Sequence, residues 1–73
     1  MQGYKIRCIV DFIRSKGPLP RDETGSILSG DDLLAWYGLR DRLTPREQVL
    51  LLQELWLLAE AETFIEQLRL ASR

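Results

Sequence analysis

The sequence predicts an all-α protein, a small bundle of about three to four helices with a long C-terminal helix. A helix-start signal, Thr-Pro-Arg-Glu, stands at 44–47, and no glycine or further proline follows it. A helix-stop signal, Ser-Lys-Gly-Pro, stands at 15–18. A chain of 73 residues has room for one core. We therefore expect a single helical domain over residues 1–73.

The first segment carries two competing periodicities. Its apolar positions at helical spacing are Ile6, Ile9, Val10 and Ile13. The same segment also alternates apolar and polar residues from Tyr4 to Phe12, as a strand would. The stop signal at 15–18 favours a helix over about residues 4–16. The alternative is a strand from Tyr4 to Val10 that pairs across a dimer axis.

Residues 17–29 read as a connector with one short turn. Pro20 is suited to opening a brief helical turn over 21–23, and Gly25 interrupts it.

A second capping signal predicts a helix over about residues 30–43. Ser29 is the expected N-cap, and Asp32 occupies the capping-box position. The apolar stripe of this helix is Leu33, Leu34, Trp36, Tyr37 and Leu39, extended to Leu43. Gly38 in its interior costs about 1 kcal/mol relative to alanine.

The long helix is predicted over about residues 45–72. At 1.5 Å per residue it would be roughly 42 Å long, whereas a compact chain of this size is about 30 Å across. Between Val49 and Ala59 it is apolar nearly all round, and beyond Glu60 it becomes amphipathic. The apolar positions of that amphipathic part are Ala61, Phe64, Ile65 and Leu68. We expect a second copy of the chain to cover this helix, which makes it the spine of a homodimer.

The residue inventory predicts no enzyme, no cofactor and no metal site. The chain has no histidine and a single cysteine, so neither an internal disulfide nor a structural zinc set is expected. Cys8 is predicted to be a small core hydrophobe rather than a reactive thiol. The adjacent Asp31 and Asp32 are typical of a helix first turn. No glycine-rich phosphate loop is present.

Charge and hydropathy favour a cytoplasmic protein that does not enter the membrane. The first residues lack an apolar signal core. The longest apolar run, Leu55–Ala59, is far shorter than the ~20 residues of a membrane span. Net charge is −1, but residues 1–21 are mainly basic and residues 22–44 mainly acidic. Either this basic end and the acidic middle are solvated or pair with each other, or the basic end gives a surface for an acidic partner.

One short segment resembles a known family. The Leu-Thr-Pro-Arg-Glu sequence at 43–47, followed by Val49, Leu50 and Leu52, is similar to the start of LuxR-type DNA-binding domains. The resemblance covers about ten residues and implies the first helix of such a domain. The family then requires a break and a polar recognition helix, whereas this sequence continues as one helix. No recognition residue is carried over.

A helix-turn-helix arrangement is the main alternative for function. Helices over 9–16, 21–28 and 31–43 would make this chain a DNA-binding transcriptional regulator that dimerises through its C-terminal helix. Its recognition helix would begin with Asp31 and Asp32, where phosphate contacts require cationic or small polar groups.

The favoured prediction is a non-enzymatic regulator or inhibitor that binds an unidentified protein. Its size suits the short genes of bacteria, phages and plasmids. Large aromatic side chains and arginines dominate interface energetics. The candidate residues for the partner or dimer interface are Trp36, Tyr37, Arg40, Arg42, Trp56, Ala61, Phe64, Ile65 and Leu68. Adjacent Trp36 and Tyr37 point about 100° apart on a helix, so we expect one in the core and the other in an interface.

Overall fold

The computed structural model describes residues 2–72, which form three helices joined by ordered loops. Helix α1 spans Gln2–Ser15, α2 spans Gly30–Trp36 and α3 spans Pro45–Ala71. The prediction of an all-α chain with a long C-terminal helix is confirmed. The alternative strand at the N-terminal end is wrong, because residues 2–15 are helical throughout.

Helices α1 and α3 run parallel to each other along the long axis of the molecule. Lys5 in the first turn of α1 bonds Glu47 in the first turn of α3, and Leu19 just beyond α1 bonds Glu62 further along α3. Residues 16–44, which include α2, lead from the end of α1 back to the start of α3. The molecule measures 44 × 26 × 18 Å. Since a helix of 27 residues is about 40 Å long, α3 spans almost the whole molecule.

The core lies between the α1–α3 pair and α2. Its buried side chains are Ile6, Ile13, Leu19, Leu33, Leu34, Leu43, Leu51 and Leu55. Four of them, Ile13, Leu34, Leu51 and Leu55, are almost completely inaccessible to solvent. Every helix and both connections therefore contribute to one small core.

The predicted capping box at the start of α3 is present. The Thr44 hydroxyl accepts from the backbone N–H of Glu47 at 3.2 Å, and the Glu47 carboxylate accepts from the backbone N–H of Thr44 at 2.9 Å. This pair satisfies backbone donors that a helix start leaves free. The helix then continues unbroken to Ala71, so the break that a LuxR-type domain requires does not occur.

The prediction that Cys8 is a core residue is wrong. Its side chain is exposed, whereas Ile6 and Ile13 of the same helix are buried. Two residues along an α-helix correspond to about 200°, so Cys8 points away from the face that Ile6 presents to the core. The helical stop after Ser15 is as expected, because Gly17 takes a positive φ of 95°.

The connector contains a hairpin-like turn in place of the short helix predicted for 21–23. Arg21 and Ile27 form an antiparallel bridge, and the backbone N–H of Asp22 donates to Ser26 O at 2.9 Å. The Asp22 carboxylate accepts from the Thr24 hydroxyl at 2.6 Å and from the backbone N–H groups of Thr24 and Ser26. These bonds, led by the Thr24 hydroxyl, lower the pKa of Asp22. An aspartate that bonds the following backbone favours a turn over a helix.

Helix α2 is half as long as the sequence predicts, because Gly38 ends it. The backbone N–H of Gly38 donates to Ala35 O at 3.0 Å and that of Leu39 donates to Leu34 O at 2.9 Å. With a φ of 69° at Gly38, these two bonds form a Schellman motif. Ser29 is the N-cap, but its side chain makes no capping bond, so the predicted capping box is wrong.

Candidate protein-binding surfaces

The side of α3 that points away from the core combines large apolar residues with the polar Gln53, Glu60 and Gln67. Leu51 and Leu55 mark the buried side of the helix. The exposed large apolar residues of α3 are Val49, Trp56, Leu57, Phe64, Ile65, Leu68 and Leu70. Trp56 is 63% exposed and Phe64 is 60% exposed. Two large aromatic side chains of this helix are therefore exposed to solvent. Exposed apolar patches of this kind mark interaction sites in proteins.

A groove of about 800 Å³ runs beside this face, between α3 and the end of the connector. We call it the outer groove. Ile27, Leu28 and Leu33 line one wall, and Val49, Leu52 and Trp56 line the other. A second concavity shares Ile27, Trp56, Leu57 and Ala59 with it and continues to Ala61 and Phe64. The concave surface is thus continuous from Val49 to Phe64: the outer groove is mainly apolar, and its continuation also carries the polar side chains of Arg21, Ser26, Glu60, Thr63 and Gln67.

Two contacts hold the connector against α3 and thereby fix the wall of the outer groove that contains Ile27 and Leu28. The backbone N–H of Leu19 donates to Oε1 of Glu62 at 2.9 Å. Nη2 of Arg21 lies 3.3 Å from Oε2 of Glu66. Both contacts lie close to the turn that carries Ile27. The groove is therefore formed by ordered elements rather than by a free loop.

A smaller concavity of about 340 Å³ lies at the other end of the connector. We call it the Trp36 pocket. It is lined by Lys16, Pro18, Pro20, Trp36 and Tyr37. Trp36 is 64% exposed, whereas Tyr37 is half-buried. Burial, and secondly the negative charge of Glu62, raises the pKa of Tyr37.

The structure divides the residues predicted as an interface between these two surfaces. Trp56, Ala61 and Phe64 line the outer groove and its continuation, and Ile65 and Leu68 are exposed further along α3. Trp36 and Tyr37 line the Trp36 pocket, and Arg40 and Arg42 are exposed on the turn that follows α2. The two concavities share no lining residue.

Sequence reasoning missed the connector wall of the outer groove. Ile27 and Leu28 stand in a segment that the sequence predicts only as a linker. Their apolar character was visible, but their position depends on the Asp22 turn and on the bridge between Arg21 and Ile27. Hydrogen bonds across several residues of a loop leave no periodic signal in the sequence.

Within residues 2–72, no three Cys, Asp or Glu side chains cluster in a way that could hold a metal ion. In the same residues, no helix combines the length and apolarity needed to cross a bilayer. Comparison with models of protein families, with curated proteins and with solved structures finds no significant match to this chain.

Proposed function

We propose that this chain is a non-enzymatic protein-binding regulator or inhibitor that acts as a small helical homodimer. Helix α3 is the dimerisation element, and the Trp36 pocket binds the second protein. The observation that carries the proposal is the set of large apolar side chains that α3 exposes, Trp56 and Phe64 above all, beside the mainly apolar outer groove. The chain's own core leaves this surface uncovered.

The energetics of a small chain support dimerisation. A core of this size leaves only a few kcal/mol of net stability. Val49, Trp56 and Phe64 each leave more than half of their surface exposed, so a second copy has apolar area on α3 to bury. Burial of apolar area contributes roughly 25 cal/mol per Å² before the cost of association. Pairing would therefore add to the stability of each copy.

The Trp36 pocket has the composition of a binding site for another protein. Trp36 is exposed beside two prolines, Pro18 and Pro20, which present rigid apolar surface. Lys16 lines the pocket, and Arg40 follows on the next turn. Tryptophan and arginine are over-represented among the residues that dominate protein interfaces. The positive charge of Lys16 favours a partner with an acidic surface.

The DNA-binding alternative has less support. Asp31 and Asp32 stand in the first turn of α2, and both are exposed there. A recognition helix requires cationic or small polar groups at that end. Two of the cations, Lys5 and Arg21, already contact carboxylates of α3. What favours the protein-binding proposal is the apolar, aromatic character of both surfaces.

The experiment for the dimer replaces Phe64 and Leu68 together with glutamate. Two buried charges per chain would disrupt an apolar interface, so the variant should sediment as a monomer. Its circular dichroism should stay largely helical, because neither side chain belongs to the core. The control is Phe12→Glu, which introduces one such charge at an exposed aromatic residue of α1. Equal masses for the two variants would count against α3 as the dimer element.

The experiment for the partner is affinity capture from the native host with mass spectrometry, using wild type and Trp36→Ala as paired baits. We expect a protein that wild type retains and Trp36→Ala loses, while both baits remain dimeric. A partner captured equally by both baits would remove the Trp36 pocket from the proposal.

A further inference from the structure

We propose that Glu62 of α3 is the positioning residue of the Trp36 pocket, because its carboxylate holds the segment that forms the proline side of that pocket. This segment, residues 18–20, is called the proline segment below, and both of its prolines line the pocket. The inference rests on the proposed function, which makes the Trp36 pocket the site for a second protein. It adds the residue that sets the shape of that site.

The first observation is the single backbone donor of the proline segment. Pro18 and Pro20 have no N–H group, so Leu19 supplies the only backbone donor of these three residues. That N–H donates to Oε1 of Glu62 at 2.9 Å. A hydrogen bond to a carboxylate is stronger than one between neutral groups. Glu62 therefore holds the segment at the one point where its backbone can donate.

The second observation is the space around the proline segment. Glu62, Pro18 and Leu19 line one small cavity of about 230 Å³, and Pro18 lines the Trp36 pocket as well. The Leu19 side chain is 5% exposed, so it holds the segment to the core. The cavity nevertheless leaves space beside the segment, and packing alone does not fix a backbone that has such space. The hydrogen bond to Glu62 supplies the missing restraint.

The third observation is the enclosure of the Glu62 carboxylate. Its Oε2 is inaccessible to solvent, and no group among residues 2–72 donates a hydrogen bond to it. Enclosing an unpaired carboxylate oxygen is unfavourable. In the same part of the chain, the bond from Leu19 to Oε1 is the one hydrogen bond that offsets this cost. After burial, the negative charge of Glu62 also raises the pKa of Tyr37, which lines the Trp36 pocket from the end of α2.

The test compares two conservative replacements of Glu62 that separate reach from charge. Glu62→Gln keeps the length of the side chain and an oxygen that accepts from Leu19, but it removes the charge. Glu62→Asp keeps the charge and shortens the side chain by one methylene, about 1.5 Å, which takes its oxygens out of hydrogen-bond distance. The matched control is Glu66→Asp, which makes the same shortening at the contact with Arg21.

Nuclear magnetic resonance of the isotope-labelled chain measures both ends of the proposed relationship. The Leu19 amide reports the hydrogen bond, and the Trp36 indole N–H reports the pocket, with Trp36→Phe to assign its resonance. In Glu62→Asp, exchange of the Leu19 amide with solvent should be at least about tenfold faster, and the indole resonance should move. In Glu62→Gln and Glu66→Asp, both signals should stay close to those of wild type.

An unchanged indole resonance in Glu62→Asp would overturn the proposal, since Glu62 would then hold the connector without shaping the pocket. Equal changes in Glu62→Gln would assign the effect to charge, and equal changes in Glu66→Asp would assign it to general loosening of the connector. Either result also overturns the proposal. If Glu62→Asp does not fold, Glu62→Met takes its place, because methionine has a similar length, suits an enclosed position and offers no oxygen to Leu19.

Affinity capture separates this inference from the proposed function on which it rests. The protein that wild type retains and Trp36→Ala loses should be retained by Glu62→Gln and retained less by Glu62→Asp. Equal retention by both Glu62 variants would overturn the positioning role while the Trp36 site stands. If no captured protein depends on Trp36, the proposed partner site is wrong, and the two resonances still decide whether Glu62 sets the shape of the pocket.

Discussion

Nζ of Lys5 lies 3.0 Å from Oε2 of Glu47, so the start of α1 is bound to the N-terminal cap of α3. The same carboxylate accepts from the backbone N–H of Thr44, and one side chain thereby joins two helix starts. A lysine in the first turn of a helix is unfavourable because the helix dipole is positive there. The contact with Glu47 offsets that effect and aligns α1 parallel to α3.

Glu47 should make the stability of the fold sensitive to acid. The backbone N–H of Thr44 is the largest cause that lowers its pKa, followed by the Lys5 ammonium. A carboxyl group with a lowered pKa in the folded state contributes stability above its unfolded pKa, and that contribution is lost as the pH falls through the folded pKa. Glu47→Gln should therefore reduce the free energy of unfolding at neutral pH and flatten its dependence on pH in the acid range.

Urea denaturation at a series of pH values measures this effect. The matched control is Glu54→Gln, which removes an exposed carboxylate from the same helix. Parallel pH profiles for wild type and Glu47→Gln would show that the cap and its contact with Lys5 do not couple folding to pH.

Truncation of Leu51 should destabilise the fold more than truncation of most other residues. Its side chain is completely buried where α3 meets the core. Leu51→Ala should cost about 2–5 kcal/mol, which is as much as a domain of this size has in total. We expect loss of the cooperative unfolding transition in circular dichroism. Leu70→Ala, on the exposed part of α3, should change stability by only about 0.5 kcal/mol or less. A cooperative Leu51→Ala variant of near wild-type stability would contradict the assigned core.

Position 38 should require glycine because of its backbone conformation, and not because a larger side chain would clash. A Cβ atom at this position meets nothing within 4 Å, but φ is 69°. Gly38→Ala should destabilise the protein by about 1 kcal/mol, because L-residues are strained in the left-handed region. The control is Gly3→Ala in α1, which also meets no neighbour and should stabilise by up to about 1 kcal/mol. Thermal denaturation should show a lower melting temperature for Gly38→Ala and a higher one for Gly3→Ala. A neutral or stabilising Gly38→Ala would contradict the Schellman end of α2.

Glu62 should influence the ionisation of Tyr37. Burial is the main cause that raises the Tyr37 pKa, and the negative charge of Glu62 adds to it. Glu62→Gln removes the charge and leaves the burial, so the pKa should fall while staying above its ordinary value. Tyrosinate absorbance measured against pH in a Tyr4→Phe background reports the ionisation of Tyr37 alone. The control is Glu60→Gln, which removes an exposed carboxylate of the same helix. An unchanged Tyr37 pKa would mean that the charge of Glu62 does not act on the phenol.

The helix boundaries show how far the sequence alone could go. The start of α3 was predictable, because Thr44 and Glu47 make a local pair whose spacing is sufficient to recognise it. The end of α2 was not, because a glycine inside an apolar pattern and a glycine at a helix end look alike in sequence. What distinguishes Gly38 is the pair of hydrogen bonds that its own N–H and that of Leu39 donate to Ala35 and Leu34, and these are visible only in the folded chain.

The candidate site was predictable in its residues but not in its shape. Trp56, Phe64 and Leu68 were recognisable as apolar residues that one small core cannot all bury. Their separation from Trp36 was not, because it follows from the route of the connector. That route depends on contacts more than 40 residues apart, such as Leu19 with Glu62.

The measurement that tests the central claim most directly is sedimentation equilibrium of the unmodified chain over a range of concentrations. If α3 is the spine of a homodimer, the mass at tens of micromolar should approach twice the 8.5 kDa of the chain and fall towards 8.5 kDa on dilution. A constant mass of 8.5 kDa across the whole range would contradict the claim.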